Sequence, residues 1–215
     1  MKIKWLGHSS FLITSDEGIK IITDPYATGG GINYAKISEL ADIVTVSHQH
    51  SDHNDVAQVK GNPIVVKEAG TKEIKGIEFV GISSYHDDAK GKQRGPNSIF
   101  CFTMDEIRVC HLGDLGHELD AQQLGQIGRV DILLLPVGGF YTIDVKLASQ
   151  IGQKLAPKVI IPMHYKTSKC TYPIANVEEF LKGKQNIRRL DSTEVEFKKG
   201  ELLTGTQIIV LKHEK

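Results

Sequence analysis

Four side chains able to bind a metal, His48, His50, Asp52 and His53, stand within six consecutive residues, directly after the apolar run Ile43-Val44-Thr45-Val46. The run reads as a buried strand, and the four groups then fall in the loop that it delivers. Three imidazoles crowded together repel one another when protonated, so a solvated loop gains nothing from them. A bound cation gives the arrangement its reason. Further ligands must then reach this loop from elsewhere in the chain, and that requirement constrains the fold.

At 215 residues with 40% hydrophobic composition the chain can bury a full core. We expect a single domain spanning 1–215, built of two similar halves, roughly 1–94 and 95–215. Ala41-Asp42-Ile43-Val44 and Val130-Asp131-Ile132-Leu133 both put an Asp before a buried strand, a faint internal repeat. Lys+Arg 26 against Asp+Glu 26 leaves no global attraction to nucleic acid or to an acidic membrane. The expected partner is a small-molecule substrate, and nucleic acid is disfavoured. Met1-Lys2-Ile3-Lys4 precedes only a short apolar stretch broken at Gly7-His8, and no run approaches membrane-spanning length, so a cytoplasmic location is expected.

Short strands with tight turns fill the first third, at 2–6, 11–14 and 19–23, with Asp16-Glu17-Gly18 as a turn. Gly29-Gly30-Gly31 reads as a loop, with a flap over a site as its functional alternative, and leads to a short helical piece near 37–40. Further strands fall at 64–66 and 77–83. A hairpin over 99–104 and 107–111, turning at Asp105-Glu106, sets Cys101 opposite Cys110 as a non-hydrogen-bonded pair. That pairing is close enough for a bridge, but two buried reduced thiols are the preferred reading. The texture then becomes α/β, with helices at 120–127 and 144–155 among buried strands at 130–135 and 159–162. Asn176-Val177-Glu178-Glu179 looks like a capping box opening a helix through Leu181, and strands at 187–190, 195–197 and 206–211 follow.

Three more potential ligands sit where a strand hands over to a loop: His86 after Ser83-Ser84-Tyr85, Asp114 within Gly113-Asp114-Leu115-Gly116, and His164 after Ile160-Ile161-Pro162-Met163. His8 lies in a Gly-containing turn and His111 three residues before Asp114. Either can donate to a ligand carboxylate or a substrate oxygen, or simply pack. Asp24 can buttress a ligand histidine or cap its own turn with Pro25. Arg94, Lys166 and Lys169 lie in loops near these groups, where solvated charge is the commoner role and binding an anionic substrate the alternative. His117 and His213 read as solvated.

The order His48-x-His50-x-Asp52-His53, then His86, Asp114 and His164, resembles the five-motif signature of the metallo-β-lactamase superfamily and spans most of the chain. Trp5-Leu6-Gly7-His8-Ser9, Thr23-Asp24-Pro25 and Pro162-Met163-His164-Tyr165 are further similar to the compact metal-dependent hydrolases related to ascorbate-6-phosphate lactonase. The resemblance implies an α/β fold, a four-layer αβ/βα sandwich with two mixed sheets face to face and helices outside. It also implies a dinuclear site in which His48, His50 and His86 hold one metal, Asp52, His53 and His164 the other, and Asp114 bridges them. The β-lactam-hydrolysing branch usually has Cys where this chain has Asp114 and is secreted, which argues against antibiotic hydrolysis. The oxygen-reducing branch replaces the second histidine of the cluster with Glu, whereas His50 stands here.

Nitrogen-rich ligands with carboxylates suit two divalent ions, with Zn²⁺ preferred over Mn²⁺ or Fe. Two cations sharing a water lower its pKa from about 15.7 towards ~7, so a bridging hydroxide can attack without a separate base. Asp52 and Asp114 are the expected catalytic carboxylates, orienting that hydroxide and relaying a proton. The expected reaction is hydrolysis of a small, possibly anionic ester, lactone or phosphoester. A nuclease or phosphodiesterase and a non-hydrolytic redox or sensor protein are the alternatives.

Overall fold

The computed structural model describes residues 1–202 and 204–214. The first sheet runs in the order β13 (Glu194–Glu196), β1 (Lys2–Gly7), β2 (Ser10–Thr14), β3 (Lys20–Thr23), β4 (Ile43–Thr45), β5 (Ile64–Val66). The second runs β12 (Ile187–Arg189), β14 (Gln207–Val210), β11 (Val159–Met163), β10 (Ile132–Pro136), β9 (Ile107–His111), β8 (Pro96–Met104), β7 (Ile77–Tyr85), β6 (Gly70–Ile74). Both mix parallel and antiparallel pairs, and side chains of both meet in one shared core. This is the expected α/β sandwich.

The change of sheet falls between β5 and β6, near residues 66–70, and β13 returns to the first sheet late in the chain. The two halves read as meeting at 94/95 therefore do not coincide with the sheets. β6 is a strand the sequence conceals. It is an edge strand whose first four residues are exposed, so it lacks the apolar alternation that marks a half-buried strand.

Strands of the first sheet are apolar on both faces. Ile21, Ile43 and Val66 enter the shared core, while their neighbours Ile22, Val44 and Val65 join or pack against a second, smaller cluster with Tyr26, Ile32, Tyr34 and Ile37. Among the described residues that cluster is roofed by loops and the short 3-10 turn Val56–Gln58, with no α-helix on it. The three α-helices, α1 (Ala121–Ile127), α2 (Val145–Leu155) and α3 (Val177–Leu181), belong to the other side, α1 against β7, α2 against β10 and α3 on α2. The helix expected at 37–40 is absent. One turn of helix is too short to hold itself, and here Ile37 is buried by lying flat on the sheet while Leu40 is 54% exposed.

Asp120 and Gln123 form a reciprocal capping box on α1, and Asp144 accepts from the Leu147 N–H at the start of α2. The box expected at Asn176 does not form. Asn176 makes no side-chain cap, and the Glu179 carboxylate instead takes Lys182 at 2.8 Å. The hairpin at Asp105-Glu106 is as expected, with both turn residues at positive φ and Cys101 opposite Cys110, both thiols free and buried.

Candidate metal centre

Strand direction assembles the site. β1, β3 and β4 point the same way, so Gly7-His8, Thr23-Asp24 and the loop bearing Ser47 to His53 leave one edge of the first sheet. In the second sheet β7, β9 and β11 share a direction, and His86, Asp114 and His164 follow their C-terminal ends. Every expected ligand thus lies just beyond the carboxyl end of a strand, where open α/β sheets gather their sites.

Three groups of ligand atoms form there: His48, His50 and His86 in one, His8, Asp52, His53 and His164 in a second, and Asp24 with His48 and His53 in a third that shares its histidines with the first two. Asp114 lies between the first two. Its Oδ2 stands 3.2 Å from His86 Nε2, 3.2 Å from His53 Nε2 and 3.1 Å from His164 Nε2. His48 Nε2 and His50 Nδ1 are 3.0 Å apart. Two ligand atoms on one tetrahedral cation, each ~2.0–2.2 Å from it, lie roughly 3.3 Å apart. The spacing therefore fits a cation between these groups. His53 Nε2 and Asp114 Oδ1 are buried without a hydrogen-bond partner, a cost of about 1–3 kcal/mol each that a cation would remove.

Asp24 sets the protonation of two of these rings. Its Oδ2 accepts from Ser47 Oγ at 2.5 Å and from His53 Nδ1 at 2.9 Å, and its Oδ1 accepts from the Ser47 N–H at 2.7 Å. Because the Ser47 hydroxyl donates to Asp24, its oxygen is free to accept from His48 Nδ1, 2.9 Å away. In their neutral form both rings thereby carry their proton on Nδ1 and present Nε2 as a lone pair. Its place after a strand allows two roles, and the side-chain hydrogen bonds of Asp24 go to His53 and Ser47. Ser47, beside the histidine cluster, was not singled out from the sequence.

His111 does not reach the cavity. Its Nε2 donates to the Ser9 carbonyl at 2.9 Å and its Nδ1 accepts from the Gly113 N–H at 3.1 Å, strapping the His8 turn to the Asp114 loop. His8 does join the site. It is fully buried at φ 50°, with Nε2 3.3 Å from Asp52 Oδ2 and its ring 4.2 Å from that of His164. Asn97 completes the frame, its Oδ1 accepting from the Asp114 N–H at 2.9 Å and its Nδ2 donating to the Leu112 carbonyl at 3.0 Å.

Burial holds His48 down to about 3 and His8 to about 4, reinforced by neighbouring rings, so both stay neutral in the form that ligates. Burial also opposes charge on His53, yet Asp114, Asp24 and Asp52 raise it well above its ordinary value. Asp114 goes the other way. Burial pushes its carboxyl up, but His164 and His53 hold it well below the carboxylate range.

His50, Asp52, His86, Asp114 and His164 front a cavity of about 290 Å³, whose remaining wall is Arg94, Tyr141 and Tyr172. Tyr172 donates to Asp52 Oδ2 at 3.4 Å. Neither tyrosine carries a local sequence signal, since each lies in a loop far in the chain from its neighbours. Lys166 and Lys169 are exposed and take no part in this wall. The triple glycine does not cover the cavity; Gly31 backs the Tyr172 ring so closely that a Cβ would lie 2.6 Å from it. His117 is not simply solvated, since its Nε2 accepts from the Tyr85 N–H at 3.1 Å, and His213 packs edge-on against Trp5 and Tyr34.

A family described as the beta-lactamase superfamily domain matches residues 2–164. A UPF0173 metal-dependent hydrolase of Archaeoglobus fulgidus is 32% identical over 196 residues, covering 78% of this chain and 84% of that protein. Another, from Thermococcus onnurineus, is 31% identical over 209 residues, covering 85% and 91%. A proposed Zn-dependent hydrolase of the metallo-β-lactamase superfamily from Thermotoga maritima superimposes with a TM-score of 0.83 at 36% identity over 99% of both chains. The family match takes in every strand end described above, from His8 to His164. The chain therefore belongs to the metallo-β-lactamase superfamily and, within it, to the UPF0173 metal-dependent hydrolases.

Proposed function

We propose that this chain is a dinuclear metallohydrolase that cleaves a small ester, lactone or phosphoester. The observation that carries the reading is Asp114 Oδ2, at nearly equal distance from His86 of one ligand group and from His53 and His164 of the second. In this reading His48, His50 and His86 would hold one ion and Asp52, His53 and His164 a second, with Asp114 placed to reach either. Charge supports it, since Asp24, Asp52, Asp114 and one hydroxide balance two divalent cations. Zn²⁺ is preferred because imidazole dominates the donor set, and the Thermotoga relative is itself described as Zn-dependent.

Two such ions supply hydroxide at neutral pH and polarise the scissile oxygen. The chain's own residues do the rest. Asp52, with an oxygen already shared between His8 and Tyr172, orients the attacking hydroxide and relays its proton towards the leaving group. The Asp24–Ser47 pair places the ring protons of neutral His48 and His53 on Nδ1, so that Nε2 is the atom free to ligate. The cavity, about 290 Å³, suits a metabolite-sized substrate and is too small to enclose a folded polymer. Among the described residues no helix is long and apolar enough to cross a membrane.

The test is metal counting on purified protein alongside an activity panel of lactones, thioesters, phosphomonoesters, phosphodiesters and β-lactams. Two ions per chain are expected, with hydrolysis abolished by chelation and restored by zinc or manganese. Hydrolysis indifferent to chelation, or a single ion at saturation, overturns the reading.

A further inference from the structure

Arg94 is the one cation in the cavity wall, among groups that otherwise ligate or are aromatic. Its position is built. Asp87, only 2% exposed, accepts from four backbone N–H groups of the loop that carries Arg94: Ala89 at 2.8 Å, Gly91 at 2.9 Å, Gln93 at 3.0 Å and Arg94 itself at 2.7 Å. Four donors on one carboxylate fix a loop that would otherwise be free, and a solvated surface arginine needs no such mount.

The guanidinium pairs with no carboxylate among the described residues. It lies over the face of Tyr141, 5.7 Å from Cζ to the ring centre. Tyr141 in turn packs edge-on against Tyr172 at 5.5 Å, and Tyr172 donates to Asp52. An aromatic wall therefore runs from Asp52 through Tyr172 and Tyr141 to the guanidinium of Arg94, all in the wall of one small cavity. The loop bearing Tyr141 is also fixed, since a Cβ on Gly138 would lie 2.2 Å from the His164 carbonyl and the Gly138 carbonyl accepts from the Ala175 N–H at 2.7 Å.

We infer that Arg94 is a specificity-determining residue: it receives a carboxylate or phosphate carried by the substrate at a distance from the bond that is cleaved, while the intervening part of the substrate lies along Tyr141 and Tyr172. The inference rests on the cavity being the substrate site of the proposed hydrolase. A planar guanidinium recognises either oxyanion through paired N–H donors, and stacking on Tyr141 leaves its edge free to do so.

Binding of uncleavable probes separates this inference from the hydrolase reading. Zinc-loaded protein is titrated calorimetrically with N-phenylsuccinamic acid, with the anilide of 3-phosphonopropionic acid, and with neutral butyranilide. At least one anionic anilide should bind ten-fold or more tightly than butyranilide, and the preferred one identifies carboxylate or phosphate. Arg94→Met should remove that preference with zinc content unchanged, and Arg94→Lys should restore part of it. Equal binding of all three probes, or a preference that survives Arg94→Met, overturns the inference. The corresponding 4-nitrophenyl esters then test hydrolysis separately: an Arg94-dependent preference without turnover counts against the hydrolase reading alone.

Discussion

Replacing Asp24 by Asn tests whether one buried carboxylate sets the ligating form of two histidines. The side chain keeps its shape, and its oxygen can still accept from the Ser47 N–H, now 2.7 Å away. The other terminal atom becomes an NH₂ facing both Ser47 Oγ and His53 Nδ1. It must donate to each, so His53 accepts at Nδ1 and its proton moves to Nε2, the atom 3.2 Å from Asp114. The Ser47 hydroxyl, no longer able to donate to residue 24, turns to His48 Nδ1, and His48 Nε2 is protonated in the same way. Two ligating lone pairs are lost by one substitution. Each such change costs about 10–100-fold in metal affinity, which is roughly 1.4–2.7 kcal/mol per ion. The fold should survive, because the hydrogen bonds are rearranged and not deleted. Zinc affinity measured against a chromophoric chelator should fall for both ions, while thermal unfolding of the metal-free protein moves by a few degrees at most. Wild-type affinity at both positions in a folded Asp24→Asn protein would refute the relay.

Three further outcomes follow from the same geometry. Asp114→Ala and His164→Ala should each lower metal content below two per chain by elemental analysis, and unchanged content in both would remove the ligand assignment. Metal-free protein should lose stability on acidification. His8 and His48 are held near 4 and 3, so below about pH 6.5 the unfolded chain takes up protons that the native state refuses. The slope approaches 1.4 kcal/mol per pH unit for each group between about pH 6 and 4. His53, raised in the native state, works in the opposite direction until the unfolded chain's histidine is itself protonated by about pH 5.5, and the two lowered histidines outweigh it. Urea midpoints that stay level or rise between pH 7 and 5 would contradict this. Gly116→Ala should destabilise the protein by about 3 kcal/mol and weaken zinc binding, since its Cβ would lie 2.3 Å from the His86 carbonyl carbon and 2.4 Å from the Asp87 nitrogen, neither of which can swing aside. Chemical denaturation with and without zinc measures both effects.

The candidate ligands were legible because each stands beyond the end of an apolar strand, where a short sequence window says most about position in space. The His48 to His53 cluster needed no more than its own spacing. What stayed hidden depends on distant neighbours. Ser47 acquires its role only from Asp24, twenty-three residues earlier. Tyr172 reaches Asp52 across 120 residues, and Tyr141 matters because Arg94 lies over it. Of the three loop cations only Arg94 faces the cavity, a distinction that Asp87 makes by gathering backbone amides. β6 escaped notice because an exposed edge strand carries no burial pattern, and the turn of helix expected at 37–40 failed because the sheet beneath offered Ile37 more burial than a helix could.

The roof of the first sheet is made of loops that bury side chains but contribute few strands or helical turns of their own. Tyr26 donates to the Leu6 carbonyl at 3.2 Å and the Ala35 carbonyl at 3.0 Å, and Ile32 bridges to Cys170, so the roof is pinned at separate points. A helix cannot gain or lose one residue without rotating everything beyond it, whereas a loop held at points tolerates changes of length between them. The same roof carries Asp24 at one end and supports Tyr172 at the other. Lengthening it between those anchors would recontour the cavity at Tyr172 while leaving both sheets in register, so the shape of the cavity can change on this side without disturbing the strand ends that carry the candidate ligands.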